Sequence, residues 1–125
     1  MKFIAHRGNV DGPSMRENEP DYIDEALSLG HDAEVDLWIK EDGKFYLGHD
    51  YPQYNVSLEW LDDRASCLWI HCKNLEAMSQ MSQISWHEVV KFRYFWHQND
   101  DYTLVSNGII WAYPNQNINN HTVCV

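Results

Sequence analysis

The sequence is short of cations, and this shortage limits the partners that the protein can have. Nine lysines and arginines stand against 19 aspartates and glutamates, which gives a net charge of −10. Such a charge repels nucleic acid and anionic lipid, so we expect neither as a general partner. It also repels an anionic substrate, unless a bound metal ion or a focused group of cations attracts that substrate.

Long apolar runs and paired cysteines are also missing. No stretch approaches the roughly 20 apolar residues of a membrane-spanning helix, and the first residues, 1–5, do not have the composition of a leader segment. We therefore expect no membrane insertion and a cytoplasmic location. Cys67, Cys72 and Cys124 do not have the spacing of a zinc site, and their odd number leaves at least one unpaired. Reduced thiols are the simplest interpretation.

The chain does contain enough apolar material for a packed core. Hydrophobic residues make up 44% of the 125 residues and aromatic residues 14%, which is typical of one folded domain spanning residues 1–125. Strand-like and helix-like segments alternate, which predicts βαβ units and a mostly parallel sheet. The strand-like segments are 2–5, 32–39, 45–48, 67–72, 89–96, 109–113 and 122–125, and the helix-like segments are 19–30, 57–65 and 74–84.

Two acidic residues lie on one face of the second predicted strand. Glu34 and Asp36 are two positions apart, so their side chains point to the same side. Carboxylates are common on solvated strands, but the rest of this strand is apolar. Burying two like charges without a cation is costly. We therefore expect this pair to bind a hard divalent cation such as Mg²⁺ or Ca²⁺.

Two histidines flank the carboxylate pair in the sequence, at positions 6 and 49. Histidine transfers protons near neutral pH, which suits acid–base catalysis beside a metal. Either residue alone is more typical of an ordinary surface or core histidine, and only their combination with the carboxylates favours catalysis. Most of the candidate residues lie on or just after predicted strands, where the functional groups of parallel sheets gather.

The order of the motifs resembles that of the glycerophosphodiester phosphodiesterase family, within the wider group of phospholipase-C-like phosphodiesterases. The matching motifs are His6-Arg7-Gly8, Glu17-Asn18, Glu34-Val35-Asp36, Asp42-Gly43 and His49-Asp50. They cover residues 3–50, and the match extends loosely to Lys73. The resemblance implies a metal-dependent phosphodiesterase acting on a small phosphodiester, such as a glycerophosphodiester.

The resemblance also implies roles for the two histidines and for two cations. His6 and His49 are expected to be the general acid and base. Arg7 is expected to bind the phosphate through its forked guanidinium, and Lys73 is expected to assist. The alternatives are a surface ion pair for Arg7 and a solvated position before the helix cap at Asn74 for Lys73.

Two further metal candidates leave alternatives open. Glu17 can reach the same metal, orient Arg7, or lie near a helix start where the dipole favours a carboxylate. His71 occupies a position where the family usually has an acidic residue that completes the metal site. An imidazole ligand lowers the affinity for Mg²⁺ or Ca²⁺ and favours Mn²⁺ or another transition metal. The alternative is that His71 only packs in the sheet and does not bind the metal. We expect Mg²⁺ or Ca²⁺, with Mn²⁺ as the alternative.

Aromatic residues near the C-terminal end have two interpretations. The segment 92–96, with Trp111 and Tyr113, has the strand period of a packed core, which we favour, but these residues can also form pocket walls. His97 follows a predicted strand end, and its entry into the site is the less favoured alternative.

The length of the chain conflicts with the fold that the resemblance implies. A (β/α)₈ barrel typically needs about 200 residues or more. We therefore expect an α/β, TIM-barrel-like fold that is incomplete or miniature, with five or six mostly parallel strands and a hairpin. Three explanations are consistent with the short length. The chain can be a natural miniature, a fragment of a longer protein, or a domain that lost its last strands together with its activity. The last would be a catalytically weak phosphate-binding or interaction module. An unpaired sheet edge predicts a homodimer.

Overall fold

A computed structural model gives the fold and describes residues 3–87, 92–97, 99–120 and 122–124. Within these residues the chain forms nine strands and three helices. In chain order they are β1 (Ile4–His6), α1 (Pro20–Ser28), β2 (Asp32–Ile39), β3 (Phe45–Leu47), β4 (Tyr54–Val56), α2 (Leu58–Arg64), β5 (Leu68–Cys72), α3 (Leu75–His87), β6 (Tyr94–Trp96), β7 (Tyr102–Leu104), β8 (Ile110–Ala112) and β9 (Thr122–Cys124).

Six of the strands form one mixed sheet around β2. On one edge, β2 pairs in parallel with β5, which pairs in parallel with β6. On the other edge, the first half of β2 pairs in parallel with β1, and its second half pairs with the antiparallel strand β3. β4 continues the hairpin from β3 and ends the sheet on that side. A second sheet has the order β7-β8-β9.

Local sequence signals account for the limits of the helices. Pro20 is the first residue of α1, where a backbone N–H would have no acceptor within the helix, so proline costs no hydrogen bond. Gly30 follows the helix at a φ of 87°. Ser57 caps α2 through its side-chain oxygen. Asn74 caps α3 in the same way, and its side chain also binds both the N–H and the C=O of Ile39. The start of α3 is thereby attached to the end of β2.

The two faces of the main sheet have different surroundings. One face packs against the helices and forms the larger core cluster, in which Val35 and Leu37 of β2 are completely buried. The other face carries Glu34 and Asp36 and is covered in part by the second sheet. There the rings of Trp69 and Trp111 lie 5.9 Å apart, between centroids, in a second core cluster. The candidate site therefore lies between the two sheets rather than among the helices.

The expected TIM-barrel-like α/β fold is wrong. In the described residues the strands form a mixed sheet and a separate small sheet rather than a closed barrel, and helix is a minor part. One reason is that β3 returns antiparallel along β2, where a barrel requires a parallel neighbour. The other is that the chain after β6 forms three short strands that pack over the sheet instead of extending it.

Several individual elements were nevertheless predicted. β2 has the predicted limits, and the predicted helices contain or overlap α1, α2 and α3. β4 and β7 were not predicted. Part of the strand predicted at 89–96 lies outside the described residues, and only its end is described, as β6.

Every helix in the described part of the chain falls short of the length and apolar character needed to cross a bilayer.

Candidate functional site

The register of the parallel strands brings four predicted site residues together. His6 is opposite Glu34 in the β1–β2 pair, and Asp36 is opposite His71 in the β2–β5 pair. The Nε2 atom of His6 lies 3.1 Å from Oε2 of Glu34. The Nδ1 atom of His71 lies 3.1 Å from Oδ1 of Asp36. The carboxylates thus form a row between two imidazoles, on the face opposite the larger core cluster.

A cavity of about 580 Å³ opens beside this row. Six of the eight predicted site residues line it, and residues of β6, β8 and the segments after them form another part of the wall. The predicted residues are His6, Arg7, Glu34, His49, His71 and Lys73, and the others include Phe95, His97, Trp111 and Tyr113. The second sheet, which the sequence did not predict, is therefore what encloses the site.

The two carboxylates and His71 have the arrangement of a cation site. Glu34 and Asp36 are each 1% exposed, and one donor atom from each of the three residues lies within 4.8 Å of the others. Among the described residues, neither oxygen of Glu34 nor Oδ1 of Asp36 forms a well-aligned hydrogen bond, although the two imidazole nitrogens lie 3.1 Å from Oε2 and Oδ1. Buried carboxylate oxygens without donors are costly, and a divalent cation would satisfy them. The residues present therefore fit the predicted metal.

The electrostatics of the two carboxylates differ. Burial raises the pKa of Glu34 well above its usual value, and the negative charge of Asp36 raises it further. Burial also raises the pKa of Asp36, but contacts with His71 and Asn18 outweigh burial and hold that pKa at about 2. Without a cation, Asp36 is thus ionised at neutral pH, whereas ionisation of Glu34 is disfavoured.

The imidazole of His6 is also perturbed. Burial lowers the pKa of His6 to about 4, and the positive charge of Arg7 lowers it as well. The ring is therefore neutral at pH 7 and has a lone pair that can accept a proton.

Asn18 fixes the position of Asp36, and sequence reasoning did not assign it this role. Its Nδ2 donates to Oδ2 of Asp36 at 2.9 Å, and the backbone N–H of Asp36 donates to Oδ1 of Asn18 at 2.9 Å. Asn18 is completely buried and has a φ of 65°, which asparagine tolerates better than most residues. The hydrogen bond from Asn18 Nδ2 occupies Oδ2 of Asp36 and leaves Oδ1 available to a cation. The Glu17-Asn18 motif was the available signal, but it did not show which side chain is buried.

Arg7 projects from a tight turn and is held by Glu17. Its backbone has a φ of 56°, and Gly8 follows at 87°. Nη1 of Arg7 donates to Oε2 of Glu17 at 3.0 Å, and Nε lies 3.3 Å from Oδ2 of Asp36. Asn9 donates to the other oxygen of Glu17. Glu17 therefore orients Arg7, the second of its three predicted roles. The structure does not bring it into the cation group, and α1 begins only at Pro20.

His49 reaches the cavity from the loop after β3. Trp38 Nε1 donates to the carbonyl of Gly48 at 2.6 Å, which holds this loop against β2. A Cβ atom at Gly48 would collide with the carbonyl of Tyr51, so the position requires glycine. The side chain of His49 is 41% exposed, and its Nδ1 lies 2.8 Å from Oδ1 of Asp50. The side chain of His6 is exposed to the same extent, 41%, so both imidazoles face the open cavity.

The aromatic residues serve both as core and as cavity wall. Phe95 and Trp111 are buried in the second core cluster and also line the cavity. The ring of His71 stacks on Phe95 with centroids 5.0 Å apart, and His97 stacks on Tyr113 at 3.8 Å. His97, whose entry into the site was the less favoured alternative, lines the cavity.

The resemblance to glycerophosphodiester phosphodiesterases remains a prediction from the five motifs. The arrangement of side chains in the cavity is what supports a function for this chain. No family model, curated protein or solved structure matches the sequence or the fold.

Proposed function

We propose that the protein is a metal-dependent phosphodiesterase that hydrolyses a small phosphodiester, such as a glycerophosphodiester. One observation carries the proposal: two imidazoles and two cations converge on a cavity beside buried carboxylate oxygens that form no well-aligned hydrogen bond with the described residues. The imidazoles are those of His6 and His49, and the cations are Arg7 and Lys73. Each group alone is unremarkable, but together they supply proton transfer, anion binding and a place for a metal.

The phosphate of the substrate binds to Arg7 and Lys73. The chain carries a net charge of −10, so these two cations and a bound metal must offset the general repulsion of an anion. Glu17 holds Arg7 by Nη1, and no described residue forms a hydrogen bond or ion pair with its Nη2. The outer part of the guanidinium is therefore free to bind a phosphate oxygen.

The two histidines move the protons. The neutral ring of His6 accepts a proton from the attacking oxygen, which belongs to water or to a hydroxyl of the substrate. His49, the other imidazole that lines the cavity, donates a proton to the leaving oxygen. Glu34, Asp36 and His71 would hold the divalent cation, which supplies positive charge that stabilises the phosphate oxygens in the transition state. We further propose a cytoplasmic location and no nucleic-acid or membrane partner.

The test is hydrolysis of bis(p-nitrophenyl) phosphate with EDTA and with added Mg²⁺, Ca²⁺ or Mn²⁺. We expect turnover only with a divalent cation. His6→Ala and His49→Ala should each lower kcat about 10²–10⁴-fold. His31→Ala is the matched control, because His31 lies outside the cavity lining. Near-normal turnover in both site variants would remove these histidines from the mechanism.

A second candidate is a phosphate-binding module with little or no turnover. The observation that favours it is His71, which gives the cation group two carboxylates and one neutral ligand. A less negative ligand set holds a hard cation more weakly, and catalysis weakens with it. Binding of glycerol phosphate that requires a metal, in a protein without measurable hydrolysis, would support this candidate against the enzyme.

A further inference from the structure

We propose that the cation site selects a first-row transition metal of the Mn²⁺ to Zn²⁺ series over Mg²⁺ and Ca²⁺, with Nδ1 of His71 as one ligand. The inference rests on the cation site of the proposed function, but not on turnover. It reverses the expectation from the sequence, which placed Mg²⁺ or Ca²⁺ first.

The first step concerns which nitrogen of His71 carries the proton. Nε2 lies 3.4 Å from the backbone carbonyl of His97, which can only accept a hydrogen bond. In a neutral ring, a proton on Nε2 leaves the lone pair on Nδ1. A backbone carbonyl in this position is a usual partner of a metal-binding histidine, because it fixes the tautomer and the ring orientation.

The second step concerns what Nδ1 faces. It lies 3.1 Å from Oδ1 of Asp36, a buried oxygen that forms no well-aligned hydrogen bond with a described residue. The oxygens of Glu34, which is 1% exposed, form no such bond either, although Nε2 of His6 lies 3.1 Å from Oε2. Lone pairs of nitrogen and oxygen therefore converge within 4.8 Å, and a cation would remove their repulsion. The competing arrangement is a protonated His71 paired with Asp36, with no ligand role.

The third step concerns how firmly the ligands are placed. Phe95 stacks against the ring of His71 with an interplanar angle of 9°, and Trp111 stacks in turn against Phe95 with centroids 4.9 Å apart. Asn18 holds Asp36 by two hydrogen bonds. His71 is therefore not a mobile surface side chain that happens to lie near two acids.

The chemistry of the donor set decides the metal. Mg²⁺ and Ca²⁺ prefer sets made of oxygen alone, whereas imidazole nitrogen favours borderline transition metals. Catalytic zinc sites have three protein ligands and one open position, and these three residues beside a cavity provide that number.

The test is calorimetric titration of the metal-free protein with Mn²⁺, Zn²⁺, Mg²⁺ and Ca²⁺, without substrate. We expect Mn²⁺ and Zn²⁺ to bind at least about tenfold more tightly than Mg²⁺. His71→Asp should reduce the preference for Mn²⁺ over Mg²⁺ about tenfold, because it restores an all-oxygen set. His31→Asp, which adds a carboxylate away from the cavity, should leave the preference unchanged. An equal preference in wild type and His71→Asp would overturn the proposal.

A second measurement uses the unaltered protein and so does not depend on how His71→Asp folds. Zn²⁺ added to protein with ¹⁵N-labelled histidine should shift the Nδ1 signal of His71, assigned as the ring signal lost in His71→Gln. A signal that does not respond to Zn²⁺ would show that His71 is not a ligand. Transition-metal selectivity without hydrolysis would support this inference and refute the phosphodiesterase, whereas hydrolysis with a Mg²⁺ preference would do the opposite.

Discussion

Glu34 should destabilise the metal-free protein, so Glu34→Gln should stabilise it. The side chain is buried, and neither carboxylate oxygen forms a well-aligned hydrogen bond with a described residue. Glutamine has the same shape and carries no charge, and its amide can donate to the neighbouring Oδ1 of Asp36. The substitution therefore removes an electrostatic penalty without opening a cavity.

The sign of the effect follows from the pKa. Burial and Asp36 raise the pKa of Glu34 in the folded state above its value in the unfolded chain. A carboxyl group of this kind contributes stability below its unfolded pKa, near 4.3, and loses it as the pH rises toward the folded pKa. The wild type should therefore become less stable than Glu34→Gln as the pH rises from about 4 to 7.

The size of the effect follows from the cost of an unsatisfied buried group, about 1–3 kcal/mol and more when the group is charged. For a domain of 125 residues, each kcal/mol corresponds to roughly 4 °C in Tm. We thus expect Glu34→Gln to melt roughly 4–12 °C higher than the wild type at pH 7 in EDTA.

The assay is thermal unfolding followed by circular dichroism, in EDTA and again with Mn²⁺. The matched control is Glu41→Gln, the same exchange at an exposed position, which should change Tm little. Metal at about 100 times its Kd should stabilise the wild type by about 2.7 kcal/mol and leave Glu34→Gln unaffected. A Glu34→Gln variant that melts at or below the wild-type temperature in EDTA at every pH would refute the reasoning, because the carboxylate would then be satisfied in the folded protein.

Three further outcomes are expected. Asp36→Asn should destabilise the protein by about 3–5 kcal/mol in urea unfolding, because Asp36 is the buried partner of Arg7 and Asn18. This effect is opposite in sign to that of Glu34→Gln, and a loss below about 1 kcal/mol would contradict these contacts. Asn18→Gly should weaken Mn²⁺ binding about 10–100-fold in calorimetry, and glycine tolerates the positive φ at this position. Unchanged affinity would show that Asn18 does not position a ligand. The chain should be a homodimer at micromolar concentration in light scattering, with an interface drawn from the C-terminal half. A monomer mass throughout that range would refute this.

Much of the local structure could be predicted from the sequence because it depends on periodicity and on neighbouring residues. The alternation along residues 32–39 predicted β2 and placed Glu34 and Asp36 on one face, and the structure confirms both. Asn74 was recognised as a helix cap, and it caps α3 through its side chain. Such signals span only a few residues, so no knowledge of the rest of the chain is required.

The overall architecture could not be predicted in this way, and the barrel-like fold that the resemblance implied was wrong. β4 and β7 have three residues each, too few to show a period. Whether the chain after β6 extends the main sheet or folds over it depends on where Trp111 packs, and Trp111 packs against Trp69, 42 positions earlier in the sequence. Composition alone suggested the core role of these rings but not that they enclose a cavity.

The sequence by itself determined which chemical groups the protein has, namely the two imidazoles, the carboxylate pair and the cations of its motifs. Only the tertiary structure decided how these groups meet. Strand register set His6 beside Glu34 and His71 beside Asp36, and a buried hydrogen-bond network assigned Glu17 to Arg7 and Asn18 to Asp36. The physical reason is that side-chain type and alternation are local properties, whereas register, burial and the pairing of charges depend on contacts between distant parts of the chain.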